Sequence, residues 1–274
     1  MKVKQPFAAW IWSLGVVLRS YRAILALAVV LALWGVGAYE WLGLPESSGL
    51  MLVLALIWGI AQLLVVLIIV GGTVGGAANI SSHGGGKIPI SALWAVDRRS
   101  LGSTLIFCLA SLLFAGLIRS GFGWVGKHSV EVASFLTFHL QKAVSHAAIE
   151  KIYEVVEGLL WIIVNGFLIS LFVVFMRCGW REAGKQKWRL LGECILGGRF
   201  LASVVSLVLF GGIALELANR RPTVPPGLWD YAQTIVRLSL ALIIVSVGVL
   251  FWVLSLSRLQ AHLLPPSANR VNKE

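Results

Sequence analysis

From Leu50 to Val70 the chain runs twenty-one residues without one charged side chain. At about 1.5 Å per residue such a helix crosses the roughly 30 Å hydrocarbon core of a bilayer. Five further runs have the same character, about 23–39, 101–118, 159–176, 200–217 and 238–256. Such a chain has few options. In lipid every backbone polar group must be bonded internally, so each run becomes a helix. Charged residues make up only 13% of the sequence, against about 25% in soluble domains. The alternating strands of a membrane barrel do not occur. The expectation is an all-α polytopic membrane protein, a single integral membrane domain over residues 1–274 with six transmembrane helices.

The segment Arg177 to Gly212 shows how the spans are oriented. Arg177, Arg181, Lys185, Lys187, Arg189 and Arg199 crowd its start, and no charge follows from Phe200 to Leu215. Six spans place both termini on one side. The N-terminus, the second and fourth loops and the C-terminal tail together hold sixteen Lys/Arg against four acids. The other side holds seven against eight. One face is thus +12 and the other −1, so the positive-inside rule puts both termini in the cytoplasm. In a soluble protein a net charge of +11 would suggest nucleic acid. Here the positives sort by side, and they read as an orientation signal that also attracts anionic lipid on the cytoplasmic face. Arg181, Lys185, Lys187 and Arg189 are the expected lipid contacts.

Interfacial amphipathic helices are expected at three places. Met1 to Arg22 interleaves Trp10, Trp12, Leu14 and Val17 with cations and reads as a surface helix before the first span. Arg19 and Arg22 lie too deep for a signal peptide. Ile90 to Ser100 leads into the third span. The longest extramembrane piece has no Gly or Pro from His128 to Glu157 and reads as one extracytoplasmic helix over about 128–157. Ser257 to Glu274 reads as a polar tail.

WSLG (Trp12 to Gly15), RSLG (Arg99 to Gly102) and RLLG (Arg189 to Gly192) precede the first, third and fifth spans at spacings of 87 and 90 residues. Arg22 and Arg199 each follow the glycine by seven residues, where the second copy has Leu109. The pattern suggests three repeated hairpins, each entered through a surface helix. In this lead-in, of the kind WREAGKQKWRLLG before a span, the chain resembles bacterial six-span families that include the membrane domain of glycerophosphoryl diester phosphodiesterases. The resemblance implies a membrane module. It implies no phosphodiesterase activity, because no extramembrane segment of this sequence is long enough to hold the catalytic domain.

Several motifs invite sharper readings. The Gly-rich segment Gly71 to Lys87 is not a P-loop, since Ile88 follows Lys87 where a hydroxyl must hold magnesium. It reads as a flexible linker. At its start, Gly71 with Gly75 and Gly72 with Gly76 form overlapping GxxxG pairs, which let another helix approach closely. On one continuous helix, His139, His146 and Glu150 fall within about 40° of one direction, a candidate metal set of imidazole and carboxylate. An amphipathic helix lying on lipid or a partner is the plainer reading, because Val132, Phe135 and Ala143 share that face. The three cysteines form no CxxC pair, so neither a disulfide framework nor a c-type haem is expected. Asn165 and Gln62 are the main polar groups at depth, and Asn165 is expected to bond to a neighbouring helix.

No acid, base or histidine falls near the centre of any expected span, although coupled transporters keep such groups there. No catalytic triad, HExxH or paired carboxylate occurs. The expected function is a non-enzymatic, cofactor-free structural or interaction subunit of a larger complex in a bacterial cytoplasmic membrane, with protein and lipid partners. The alternative is an uncoupled permease or lipid-handling protein.

Overall fold

The computed structural model describes residues 4–43, 48–83, 86–94, 98–220 and 227–261. Among these the fold is all helix: α1 (Lys4–Arg19), α2 (Tyr21–Leu42), α3 (Gly49–His83), a 3-10 turn (Ile90–Leu93), α4 (Arg98–Gly126), α5 (Ser129–Leu140), α6 (His146–Leu196), α7 (Gly198–Val205), a π-helical segment (Ser206–Gly211), α8 (Gly212–Asn219) and α9 (Leu228–Ala261). Six of these units are long and apolar enough to cross a membrane, with α7, the π segment and α8 forming one of them. They follow one another as three hairpins: α2 with α3, α4 with α6, and α7–α8 with α9.

Charges bound the apolar stretches of several spans. Arg237 and Arg258 enclose a charge-free stretch of α9 that is roughly 30 Å long at the helical rise, the thickness of a hydrocarbon core. Arg119 and Glu157 pair at 3.3 Å and tie α4 to α6 at one end of the bundle. At the other end, α1 packs on the end of α9. We call these the far end and the terminal end.

The core lies almost wholly toward the terminal end. Ile24 and Leu27 of α2, Val74 and Ala77 of α3, Phe107 of α4, Phe172 and Val173 of α6, and Leu250 and Leu254 of α9 form one buried cluster. Without a hydrophobic drive between helices in lipid, close approach is set by small residues. A Cβ on Gly248 would meet Phe210 at 2.6 Å, and one on Gly166 would meet the Ser203 hydroxyl at 2.9 Å. α9 packs against α1, α2, α3, α6, α7 and α8, while α4 packs on α3 and α6. Asn165 accepts from the Ser111 hydroxyl of α4 at 2.5 Å and donates to the Trp161 carbonyl at 2.9 Å, the interhelical bond its position suggested.

The far end is different. No residue of α3 from Gly49 to Val66 is buried, and none of α4 beyond Phe107. Where the outer parts of α2 and α3 meet, Trp41 donates to the Ala55 carbonyl at 2.8 Å, Trp58 donates to the Gly37 carbonyl at 2.9 Å, and Gln62 packs on Gly37.

Several expectations need correction. The helix expected over about 128–157 is two helices. Gln141 adopts the left-handed conformation (φ 52°) and closes α5, while Ser145 caps α6, its hydroxyl accepting from the Ala148 amide at 3.3 Å. The side-chain cap satisfies an amide that a continuous helix would bond through its own backbone. α5 folds back on α6, and the Ser129 hydroxyl bonds to Glu150 at 3.3 Å. The Gly-rich segment is no linker in its first part, because α3 continues to His83. Of the interfacial helix expected over Ile90 to Ser100, the described residues show a 3-10 turn to Leu93 and the start of α4 at Arg98, and residues 95–97 lie outside the described residues. The first residues of the expected polar tail, Ser257 to Ala261, belong to α9. Ser257 and Gln260 are fully buried within α9, and residues 262–274 lie outside the described residues.

Candidate functional site: an arginine cluster and an apolar groove

α6 is two helices joined at Gly179, whose φ of 79° and ψ of 177° suit only glycine. After this corner comes the basic segment Trp180–Leu196, which buries Ala183, Leu190 and Cys194. Arg181, Lys185, Lys187 and Arg189 are all exposed. Lys185 pairs with Glu182 at 2.6 Å, Arg189 with Glu193 at 3.5 Å, and the Lys187 ammonium lies over the Trp188 ring. This is the arrangement of an interfacial helix that presents cations beside an aromatic surface. A second corner at Gly197 then starts the fifth span.

The two corners bring together a cluster that the sequence reading missed. Arg199, grouped there with the lead-in cations, is 1% exposed. Its Nε donates to Glu193 Oε2 at 2.8 Å. Its other nitrogens donate to the Ser170 hydroxyl at 2.9 Å, the Leu256 carbonyl at 3.4 Å and the Gln260 side-chain carbonyl. Gln260 in turn donates to Gln186 at 2.8 Å. The guanidinium thereby joins the basic segment, the fourth span and α9. Two further arginines act on the end of α3. Arg177 donates to the Ala78 carbonyl at 2.9 Å and to the Ser81 hydroxyl. Arg258 donates to the Ser81 carbonyl at 3.1 Å and stacks over Trp12 of α1. The Ser81 carbonyl lies in the last turn of α3, where carbonyls lack intrahelical donors and carry partial negative charge, so a guanidinium group suits it. The cluster's chemistry is that of a clasp on the terminal end of the bundle.

The glycines proposed for packing divide between two neighbours. A Cβ on Gly72 would overlap the Leu93 carbonyl, and one on Gly76 would meet Ala92 Cβ at 3.2 Å. This pair seats the 3-10 turn rather than a helix. Gly75 faces the Met176 methyl of α6 at 3.3 Å, and Gly71 is buried in the same stretch. The turn is held from the other side as well, where the Ile88 amide donates to the Ser20 hydroxyl at 2.8 Å.

His139, His146 and Glu150 no longer share a helix. His139 Nδ1 lies 3.0 Å from the Phe135 carbonyl, with its ring against Phe135, while His146 opens α6. The break at 141–145 removes the common face on which a metal set depended. Among the described residues no group of three His, Cys, Asp or Glu side chains is placed to hold a metal. Cys108, Cys178 and Cys194 are free thiols.

Away from the clasp, α2, α8 and α9 leave a groove of about 450 Å³. Leu31, Ala32, Gly35 and Val36 line it from α2, Gly211, Ala214, Leu215 and Ala218 from the fifth span, and Leu238, Ala241, Leu242 and Val245 from α9. Every lining side chain is apolar. The residues from the fifth span are spaced i, i+3, i+4 and i+7, one helical face, beginning at the last residue of the π segment.

Compared with known proteins, the chain matches no family model, no curated protein and no solved structure.

Proposed function

We propose that this chain is a non-enzymatic integral membrane protein of a bacterial cytoplasmic membrane that acts as a structural or interaction subunit of a larger complex. One observation carries the reading: α3 buries no residue from Gly49 to Val66, while its other half sits in a dense core. A spanning helix whose outer half contacts α2 but buries none of its own residues leaves that half available to another membrane protein, whose small-residue and van der Waals contacts would replace lipid. The basic segment on the same side as the termini supports a cytoplasmic placement of both termini, with Arg181, Lys185, Lys187 and Arg189 on anionic lipid.

The test is native mass spectrometry of the tagged full chain, extracted gently at natural expression level. The reading expects a stoichiometric protein partner. A lone chain in every preparation contradicts it. A second reading, an uncoupled permease or lipid-handling protein, draws its support from the apolar groove between the first and third hairpins.

A further inference from the structure

We propose that the groove between α2, α8 and α9 binds one acyl chain of a glycerophospholipid from the leaflet at the far end, with that lipid's phosphate on Arg237. The inference goes beyond the subunit reading and stands without it.

Depth is the first argument. Arg237 and Arg258 bound the charge-free stretch of α9, as long as a hydrocarbon core is thick. The α9 residues of the groove run from Leu238 to Val245, from directly beneath Arg237 to about the middle of that stretch. Phe210 resting on Gly248 fixes the register of the antiparallel fifth span, so Ala218 lies toward the same edge as Leu238. The groove therefore occupies a single leaflet and runs along the direction of its lipid chains.

Size is the second. At the helical rise, Leu238 to Val245 covers roughly 10 Å along a groove of about 450 Å³. The small residues Ala32, Gly35, Gly211, Ala214, Ala218 and Ala241 form this shallow, wholly apolar channel. It suits an acyl chain, one carbon wide.

Charge is the third. Arg237 is partly buried and makes only neutral contacts: the Arg220 carbonyl, the Gln233 carbonyl at 3.4 Å and the Thr234 hydroxyl at 3.4 Å. Among the described residues no carboxylate forms an ion pair with it. The nearest acids in sequence are Asp230, two turns further out, and Glu216 on α8. A guanidinium held by carbonyls, with no paired carboxylate among the described residues, suits a phosphate, which it can bind through two parallel hydrogen bonds. Its position one residue above the groove matches a lipid phosphate above its own acyl chain.

The test compares full-length wild type with three variants, each purified in mild detergent and measured by native mass spectrometry with identification of the extracted lipid. Gly35→Leu fills the groove, and a Cβ at Gly35 meets nothing within 4 Å. Arg237→Gln removes the charge. Gly116→Leu is the control, on another helix and likewise unobstructed. We expect one phospholipid per wild-type and Gly116→Leu chain, and at least a fivefold loss in both Gly35→Leu and Arg237→Gln. Arg237→Gln adds no bulk to the groove and decides the matter should Gly35→Leu fail to fold. Wild type without bound phospholipid, equal retention in Arg237→Gln, or a polypeptide in the groove in place of lipid each overturns the proposal.

Discussion

Arg199 reaches back across the corner at Gly197 to bond Glu193, Nε to Oε2 at 2.8 Å. The pair closes the junction between the basic interfacial segment and the fifth span. Glu193→Ala leaves a fully buried guanidinium without its counter-ion, which costs about 3–5 kcal/mol. Replacing both partners, Arg199→Met with Glu193→Leu, removes the uncompensated charge and is expected to recover most of that loss. Thermal unfolding of the purified variants in detergent measures both. Equal stability of Glu193→Ala and wild type would contradict the clasp.

Gly72 offers a test of the 3-10 turn. An added Cβ there would overlap the Leu93 backbone carbonyl, which cannot rotate away as a side chain does. Gly72→Ala is expected to displace the turn and to cost about 1–3 kcal/mol. A Cβ at Gly102 meets nothing within 4 Å, so Gly102→Ala is expected to be neutral or slightly stabilising through helix propensity. Limited proteolysis between α3 and α4, together with the melting temperature, distinguishes the two.

The six spans were legible because hydrocarbon imposes one rule on every segment, and a charge-free run of the right length satisfies it in one way. The corners were less so. In the first and third copies of the repeat the helix breaks five residues after the motif glycine, at Ser20 and at Gly197. In the second, RSLG lies inside α4 without a break there. Arg22 and Arg199 then share a repeat position and nothing else: Arg22 is exposed and bonds to Tyr21, while Arg199 is buried. What separates them is three-dimensional, the arrival of Glu193, Ser170 and Gln260 around one of the two. The break at 141–145 escaped notice because it uses neither Gly nor Pro. Its one local signal is Ser145, a good cap followed by residues that form helix well.

Gly179 provides a backbone test of the other corner. Its φ of 79° with ψ of 177° lies in a region that other residues enter at a cost of about 1–3 kcal/mol. Gly179→Ala is expected to lose that much stability, and Gly184→Ala, within the basic segment with open space around its Cβ, is not. A pair of spin labels at exposed Leu159 and Trp188 reads the geometry directly. Gly179→Ala is expected to change or broaden their distance distribution, whereas Gly184→Ala leaves it as in wild type.

The central claim, that another membrane protein covers the outer half of α3, is tested most directly by photo-crosslinking in native membranes. A photoreactive residue is placed at Leu56 or Ile60, both more than half exposed, and at buried Leu67 as control. The account predicts a discrete protein adduct from Leu56 and Ile60 and none from Leu67. Lipid adducts alone at all three positions would contradict it.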